Sequence, residues 1–155
     1  MLYKFILVVH VISAILGLGP GFVMIYIVKQ ATNMTELKHA YAIRHRIHVF
    51  VMVGGTLLLL TGIVMGVMRP YIFRMDWYLL SLFLFIVALA FGPLMLSPRS
   101  KPIKIMLKTS NSAEIPNEYA ALSNKLFLYE RIENVLFILI IILMITKPNF
   151  NLVGF

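Results

Sequence analysis

From Phe5 to Val28 the chain is apolar almost without interruption, and about twenty such residues suffice to cross a bilayer. Within this run His10, Ser13, Gly17 and Gly21 step by three, four and four residues, so they share one helix face. Small residues let helix backbones approach closely in lipid, and intramembrane ionisable groups usually point into the bundle. The stripe therefore places an imidazole on the face best suited to meeting another helix. A signal peptide would have a shorter core followed by a small-x-small cleavage site and a polar mature domain, and this run is too long. Lys4 is the only basic residue before it. The expectation is a retained first helix, with Pro20 as a local kink.

Three more apolar runs follow, giving expected spans at about 5–28, 48–67, 77–96 and 126–145. With 61% hydrophobic and 13% charged residues, and a mean hydropathy of +0.92, residues 1–155 read as one integral membrane domain rather than a soluble one. Between the first two spans, Lys29 to Arg46 is polar, and Thr35 reads as the N-cap of a helix starting near Glu36 and running on towards His48. His48, Gly55, Gly62 and Gly66 form a second small-residue stripe. Met68 to Asp76 reads as a turn, with Trp77 and Tyr78 as interfacial aromatics. Ser81, Ala88 and Gly92 line the third span, which Pro98 and Pro102 are expected to end. The longest loop, Ser97 to Asn124, holds a turn-forming Thr-Ser-Asn-Ser and an expected interfacial helix at Lys101 to Leu107. Glu130, Arg131, Glu133 and Asn134 occupy the first turns of the fourth span, and Lys147-Pro148 stops it.

Orientation follows from the basic residues outside the spans. Nine (Lys29, Lys38, Arg44, Arg46, Arg99, Lys101, Lys104, Lys108 and Lys125) lie in the first and third loops, against four (Lys4, Arg69, Arg74 and Lys147) at the other side. The positive-inside rule then predicts an all-α transmembrane four-helix bundle with both termini outside, in a bacterial cytoplasmic membrane. The net charge of +8 has the same origin. Because the charge lies almost entirely between apolar runs, nucleic acid is not an expected partner; the bilayer is, together with a second copy or another membrane protein.

The chain has no cysteine, which excludes disulfides, thiolate metal sites and a cysteine nucleophile. Metal chemistry would have to use His, Met, carboxylate or Tyr. There is no phosphate-binding glycine loop, no HExxH and no Ser-His-Asp set in reach. His10 sits about 9 Å inside Lys4 along its helix. His48 opens the second span from the opposite side, about 20 Å away along the membrane normal of a ~30 Å core. The two cannot ligate one iron. His10 reads either as a haem or copper ligand or proton-relay group, or as a neutral histidine bonded to Ser13 or a backbone carbonyl. Met65, Met68, Met75 and Tyr78 lie at its depth, and methionine with histidine suits copper(I) or haem iron, although methionines in such chains commonly serve packing. His39, His45 and His48 read as a second ligand cluster, or an inner haem site with Arg44 or Arg46 on a propionate. The other reading is a cap in which Arg44, Arg46 and His48 pair with Glu130 and Glu133.

Leu7-Val-Val-His10 with Gly17-Leu-Gly-Pro-Gly21, Thr61-Gly62 near the end of the second span, Asp76-Trp77 opening the third and Pro98 closing it together resemble a bacterial family of small predicted integral membrane proteins, the domain of unknown function 2269. More distantly the chain is similar to the copper-resistance-D-like proteins and to the haem-binding protoporphyrinogen oxidase membrane family, whose first helix also carries a histidine followed by glycines. The resemblance implies His10 as a haem or metal ligand. The lysine with which the oxidase family pairs its histidine has no counterpart, since spans two and three contain no lysine. The leading expectation is a b-type haem protein in electron transfer or haem-linked redox chemistry, with His10 as axial ligand and His48 and Arg44 as further cofactor contacts. The alternatives are a non-enzymatic scaffold or accessory subunit, and a copper-handling, permease-like protein using His10, Met65 and Met68.

Overall fold

In the computed structural model, which describes residues 1–110 and 112–148, the chain is helical almost throughout and the described residues contain no strand. Helix α1 (Leu2–Lys29) leads into α2 (Met34–Met68), and a 3-10 turn (Pro70–Arg74) connects to α3 (Asp76–Phe91). A π-helical turn (Gly92–Leu96) carries the chain on into α4 (Ser97–Thr109), and α5 (Glu118–Thr146) follows. Three continuous helical stretches, Leu2–Lys29, Met34–Met68 and Asp76–Thr109, are long and apolar enough to cross a membrane. The fourth long helix, α5, spans 29 residues and carries Glu130, Arg131 and Glu133 among its apolar ones.

Helix α2 begins earlier than the sequence suggests. Asn33, not Thr35, is its cap: the Asn33 side chain accepts from the Glu36 N–H at 2.9 Å. The Glu36 carboxylate in turn accepts from the Thr32 N–H at 2.8 Å and the Thr32 hydroxyl at 2.9 Å. Together they close off donors that a helix start leaves open.

Pro98 and Pro102 do not end the third helical stretch. The π turn at Gly92–Leu96 absorbs the change of register, and Pro98 then falls in the first turn of α4, where a missing N–H costs little. Side chains serve nearby carbonyls: Arg99 donates to the Met95 carbonyl at 2.7 Å and Ser100 to the Ser97 carbonyl at 3.0 Å. The expected helix at Lys101 to Leu107 is part of this longer element, held by the buried Ile103 and Leu107. In the loop that follows, Asn111 of the Thr-Ser-Asn-Ser turn lies outside the described residues. At the far end, Lys147 takes a left-handed conformation, φ 47°, and α5 stops there ahead of Pro148.

The core has two parts. Leu18, Leu58, Phe85, Ala88, Phe137 and Ile140 pack together from α1, α2, α3 and α5. Nearer the α1–α2 loop, Val28, Met34, Leu37 and Ala40 meet Ile103, Leu107, Leu126 and Phe127. Outward faces are apolar too, as Phe50, Phe83, Leu94 and Val135 show. That pattern suits a solvent of acyl chains, in which hydrophobic burial supplies little of the cohesion and close packing and hydrogen bonds supply more.

Candidate functional site

Each member of the His10 stripe meets another helix or is buried. Ser13 and Gly17 are buried. A Cβ on Gly17 would stand 2.7 Å from the Gly55 nitrogen, so α1 and α2 touch backbone to backbone. Gly21 accepts a bond at its carbonyl from the Asn134 side chain of α5, 3.2 Å away. The Ser13 hydroxyl serves its own helix, donating to the Val9 carbonyl at 2.7 Å, and does not reach His10.

His10 itself bonds across to α2, its Nδ1 2.8 Å from the Thr61 hydroxyl. That hydroxyl has one proton, and its shortest contact is the Leu57 carbonyl at 2.6 Å, with the Leu58 carbonyl at 3.1 Å. A threonine that donates back along its own helix has only lone pairs left for His10. The arrangement therefore favours the tautomer in which Nδ1–H donates to Thr61, leaving Nε2 with the lone pair. Gly62 lies beside the ring: a Cβ there would stand 3.4 Å from His10 Cε1, an ordinary contact.

His10 forms part of the wall of a partly enclosed cavity of about 260 Å³ between α1, α2, α3 and α5. The rest of the wall is almost wholly apolar, including Leu58, Phe85, Ile140 and Met144. Two hydroxyls border it. Tyr78 donates to the Gly62 carbonyl at 3.1 Å, and Ser81 to the Trp77 carbonyl at 2.6 Å. The Met65 and Met68 side chains do not line the cavity; the thioether that does is Met144, on α5. Nothing in the sequence singled out Met144, because a helix that is apolar all round gives no signal of its rotation. Thr61 had a weak signal, a hydroxyl beside the glycine stripe of the second span. Among the described residues no three His, Asp or Glu side chains gather to hold a metal ion. A metal at His10 would rest on imidazole and thioether.

The second cluster lies at the opposite end. Arg44 forms an ion pair with Glu130, both side chains largely buried. It also lies 5.7 Å from the Tyr41 ring, and Tyr41 meets Tyr119 edge to face at 6.5 Å. Burial pushes the Tyr119 phenol above its ordinary range, since the charged form is disfavoured out of water. The Tyr41 and Tyr119 hydroxyls are buried, with no well-aligned hydrogen-bond partner among the described residues. His45, Arg46 and His48 are exposed. Thirteen residues separate His48 from Thr61 along α2, about 20 Å at 1.5 Å per residue, so His10 and His48 belong to different ends of the molecule.

The end where α1 begins and α5 stops is tied by cation–π contacts. Arg69 lies 4.0 Å from the Tyr3 ring and Lys147 lies 5.5 Å from the Trp77 ring. Tyr78 is buried rather than interfacial, beneath Phe73 at 5.3 Å edge to face.

Residues 4–148 match the family described as "Predicted integral membrane protein (DUF2269)". No curated protein and no solved structure matches the chain.

Proposed function

The chain belongs to this family of predicted integral membrane proteins, and we propose that it binds b-type haem in the cavity beside His10, in electron transfer or haem-linked redox chemistry. The observation that carries the reading is the His10–Thr61 bond at 2.8 Å. A hydrogen bond at Nδ1 fixes the ring and leaves Nε2 as the ligand atom, the usual state of a metal-bound histidine. The cavity wall would suit a large apolar ring, and Met144, whose thioether lines the same wall as His10, would be the residue to hold the iron with it, thioether ligation being of the kind that raises a haem potential. At about 260 Å³ the cavity is a little below the ~300–1,000 Å³ of common small-molecule sites, so a macrocycle held there would keep one edge among lipid chains. When bound, haem would supply a one-electron couple; His10 would hold it, with Thr61 orienting His10. His48 and Arg44 stand outside this site.

In the same reading all four long helices cross a bacterial cytoplasmic membrane. Glu130 of α5 is turned inward onto Arg44, which takes one of the charged residues of α5 out of contact with lipid and supports α5 as a span. The nine-against-four distribution of basic residues supports an orientation with both termini outside.

The test is the visible spectrum of detergent-purified protein from cells supplied with haem. A Soret band that His10→Ala abolishes is the expected result. No band in the wild type overturns the haem reading, and an unchanged band in His10→Ala overturns the ligand. Copper bound in place of haem would support a copper-handling protein using His10 and Met144. Neither metal would leave an accessory subunit packed against a second copy or another membrane protein.

A further inference from the structure

We infer that the cavity beside His10 opens sideways into the bilayer, through a mouth between α1 and α5, and that an acyl chain of a membrane lipid occupies it. This rests on the proposed crossing of α5, which thiol labelling checks separately, and not on the haem reading. Most of the wall is closed: Leu58 of α2 and Tyr78, Ser81 and Phe85 of α3 are buried and form its floor. The exposed wall residues are Val11 of α1, at 50%, and Ile141 and Ile145 of α5, at 37% and 75%. A side chain that borders the cavity and is also exposed stands at the mouth. Ile141 and Ile145 share one face of their helix, so the rim is this pair on one side and Val11 on the other. Asn134 ties α5 to the Gly21 carbonyl of α1, which joins the two helices at that level. The mouth lies beyond the tie, towards the start of α1 and the end of α5.

The chemistry of the wall decides what enters. A cavity of about 260 Å³ left empty forfeits dispersion contacts along its whole lining. Water fills it poorly, because a buried water needs about three polar partners. The Tyr78 and Ser81 hydroxyls already give their protons to the Gly62 and Trp77 carbonyls, and Nδ1 of His10 is taken by Thr61. A peptide would bring backbone N–H and C=O groups into a wall with little to meet them. A hydrocarbon chain needs no polar partner, and the bilayer presents one at an apolar rim. Haem bound at His10 would have to displace that chain.

The experiment is fluorescence quenching of the full chain, without haem, in vesicles of phosphatidylcholine brominated on its acyl chains. The sequence has one tryptophan, so Trp77→Phe clears the background for a single indole on the cavity floor, Phe85→Trp, at a position only 5% exposed. The lipid-facing reference is Phe83→Trp, at a position 61% exposed. The floor indole is expected to be quenched at least about half as strongly as the reference, while iodide in the water leaves it bright. Narrowing the rim with Val11→Phe/Ile145→Phe should cut the quenching of the floor indole about threefold or more and leave the reference unchanged. The inference is overturned if the narrowed rim changes nothing, or if iodide quenches the floor indole, which would mean a cavity open to water. It is equally overturned if brominated chains leave the floor indole bright, as they would with a second copy of the chain over the mouth. Should Phe85→Trp fail to fold, Leu82→Trp, also on the cavity wall, takes its place with the same outcomes.

Discussion

Gly17 of α1 and Gly54 of α2 pack backbone against backbone. A Cβ on Gly54 would stand 2.7 Å from the Gly17 Cα, and one on Gly17 would stand 2.8 Å from the Gly54 carbonyl carbon. Neither neighbour is a side chain that can rotate away. Where lipid rather than water surrounds the helices, such an approach is what holds a pair together. Gly54→Ala is therefore expected to cost about 1–3 kcal/mol, the range for overpacking a well-fitted contact. Gly19→Ala, where a Cβ meets nothing within 4 Å, should be neutral or slightly stabilising. Thermal unfolding in detergent separates the two, and equal melting temperatures for both variants would refute the contact.

The Asn134 bond to the Gly21 carbonyl is a separate tie between α5 and α1. Asn134→Ala should lose about 0.6 kcal/mol and no more than about 1.7, as for other interhelical hydrogen bonds in membranes. A Cβ on Gly21 would lie 2.9 Å from the Asn134 side-chain oxygen, so Gly21→Ala forces that amide to turn. The two substitutions should be non-additive: Gly21→Ala costs less in the Asn134→Ala background than in the wild type. A double-mutant cycle by reversible unfolding measures the difference, and strict additivity would show that the two groups do not meet.

In the proposed haem site Thr61 should govern His10 without touching the haem. Thr61→Val removes the acceptor at Nδ1, and loss of such a supporting partner commonly costs 10–100-fold in metal affinity. Thr61→Ser keeps the hydroxyl and should bind haem as the wild type does. Haem titration followed at the Soret band reads both, and equal affinities for valine and serine would detach Thr61 from the site.

These residues also show what could be read from the chain. The stripe of His10, Ser13, Gly17 and Gly21 was legible because small and polar residues at helical spacing stand out in an apolar run, and the fold buries it or gives it partners on α2 and α5. The separation of His48 from His10 was legible too, since helix rise fixes depth. The passage through Pro98 and Pro102 was not. Local rules make proline a stop, and they are overridden here by the π turn, by carbonyls served from Arg99 and Ser100, and by the burial of Ile103 and Leu107. Nor could Met144 be found. Depth follows from counting residues, but which face of α5 meets the cavity depends on packing.

The pairing of Arg44 with Glu130 was one of two readings of the sequence, and it sets an asymmetric expectation. Glu130 is only 6% exposed, so Arg44→Ala leaves a charge in a poorly solvated place, at a cost of about 3–5 kcal/mol. Replacing both partners together, Arg44→Met with Glu130→Leu, removes the charges and should recover most of that loss. Melting temperatures of the single and double variants test this, and a double variant no more stable than Arg44→Ala would mean that the pair does more than neutralise itself.

The proposed crossing by α5 has a direct consequence for the chain's two faces. The sequence contains no cysteine, so single cysteines report position without background. Tyr71→Cys, in the exposed 3-10 turn, and Lys147→Cys, just past α5, should both react with a membrane-impermeant thiol reagent in intact cells. Ser112→Cys, in the exposed loop after α4, should react only after lysis. The reverse pattern would invert the orientation. If Lys147→Cys instead behaves like Ser112→Cys, then α5 does not cross, and the wall that Ile140 and Met144 give the His10 cavity would have to be built by some other arrangement of that helix.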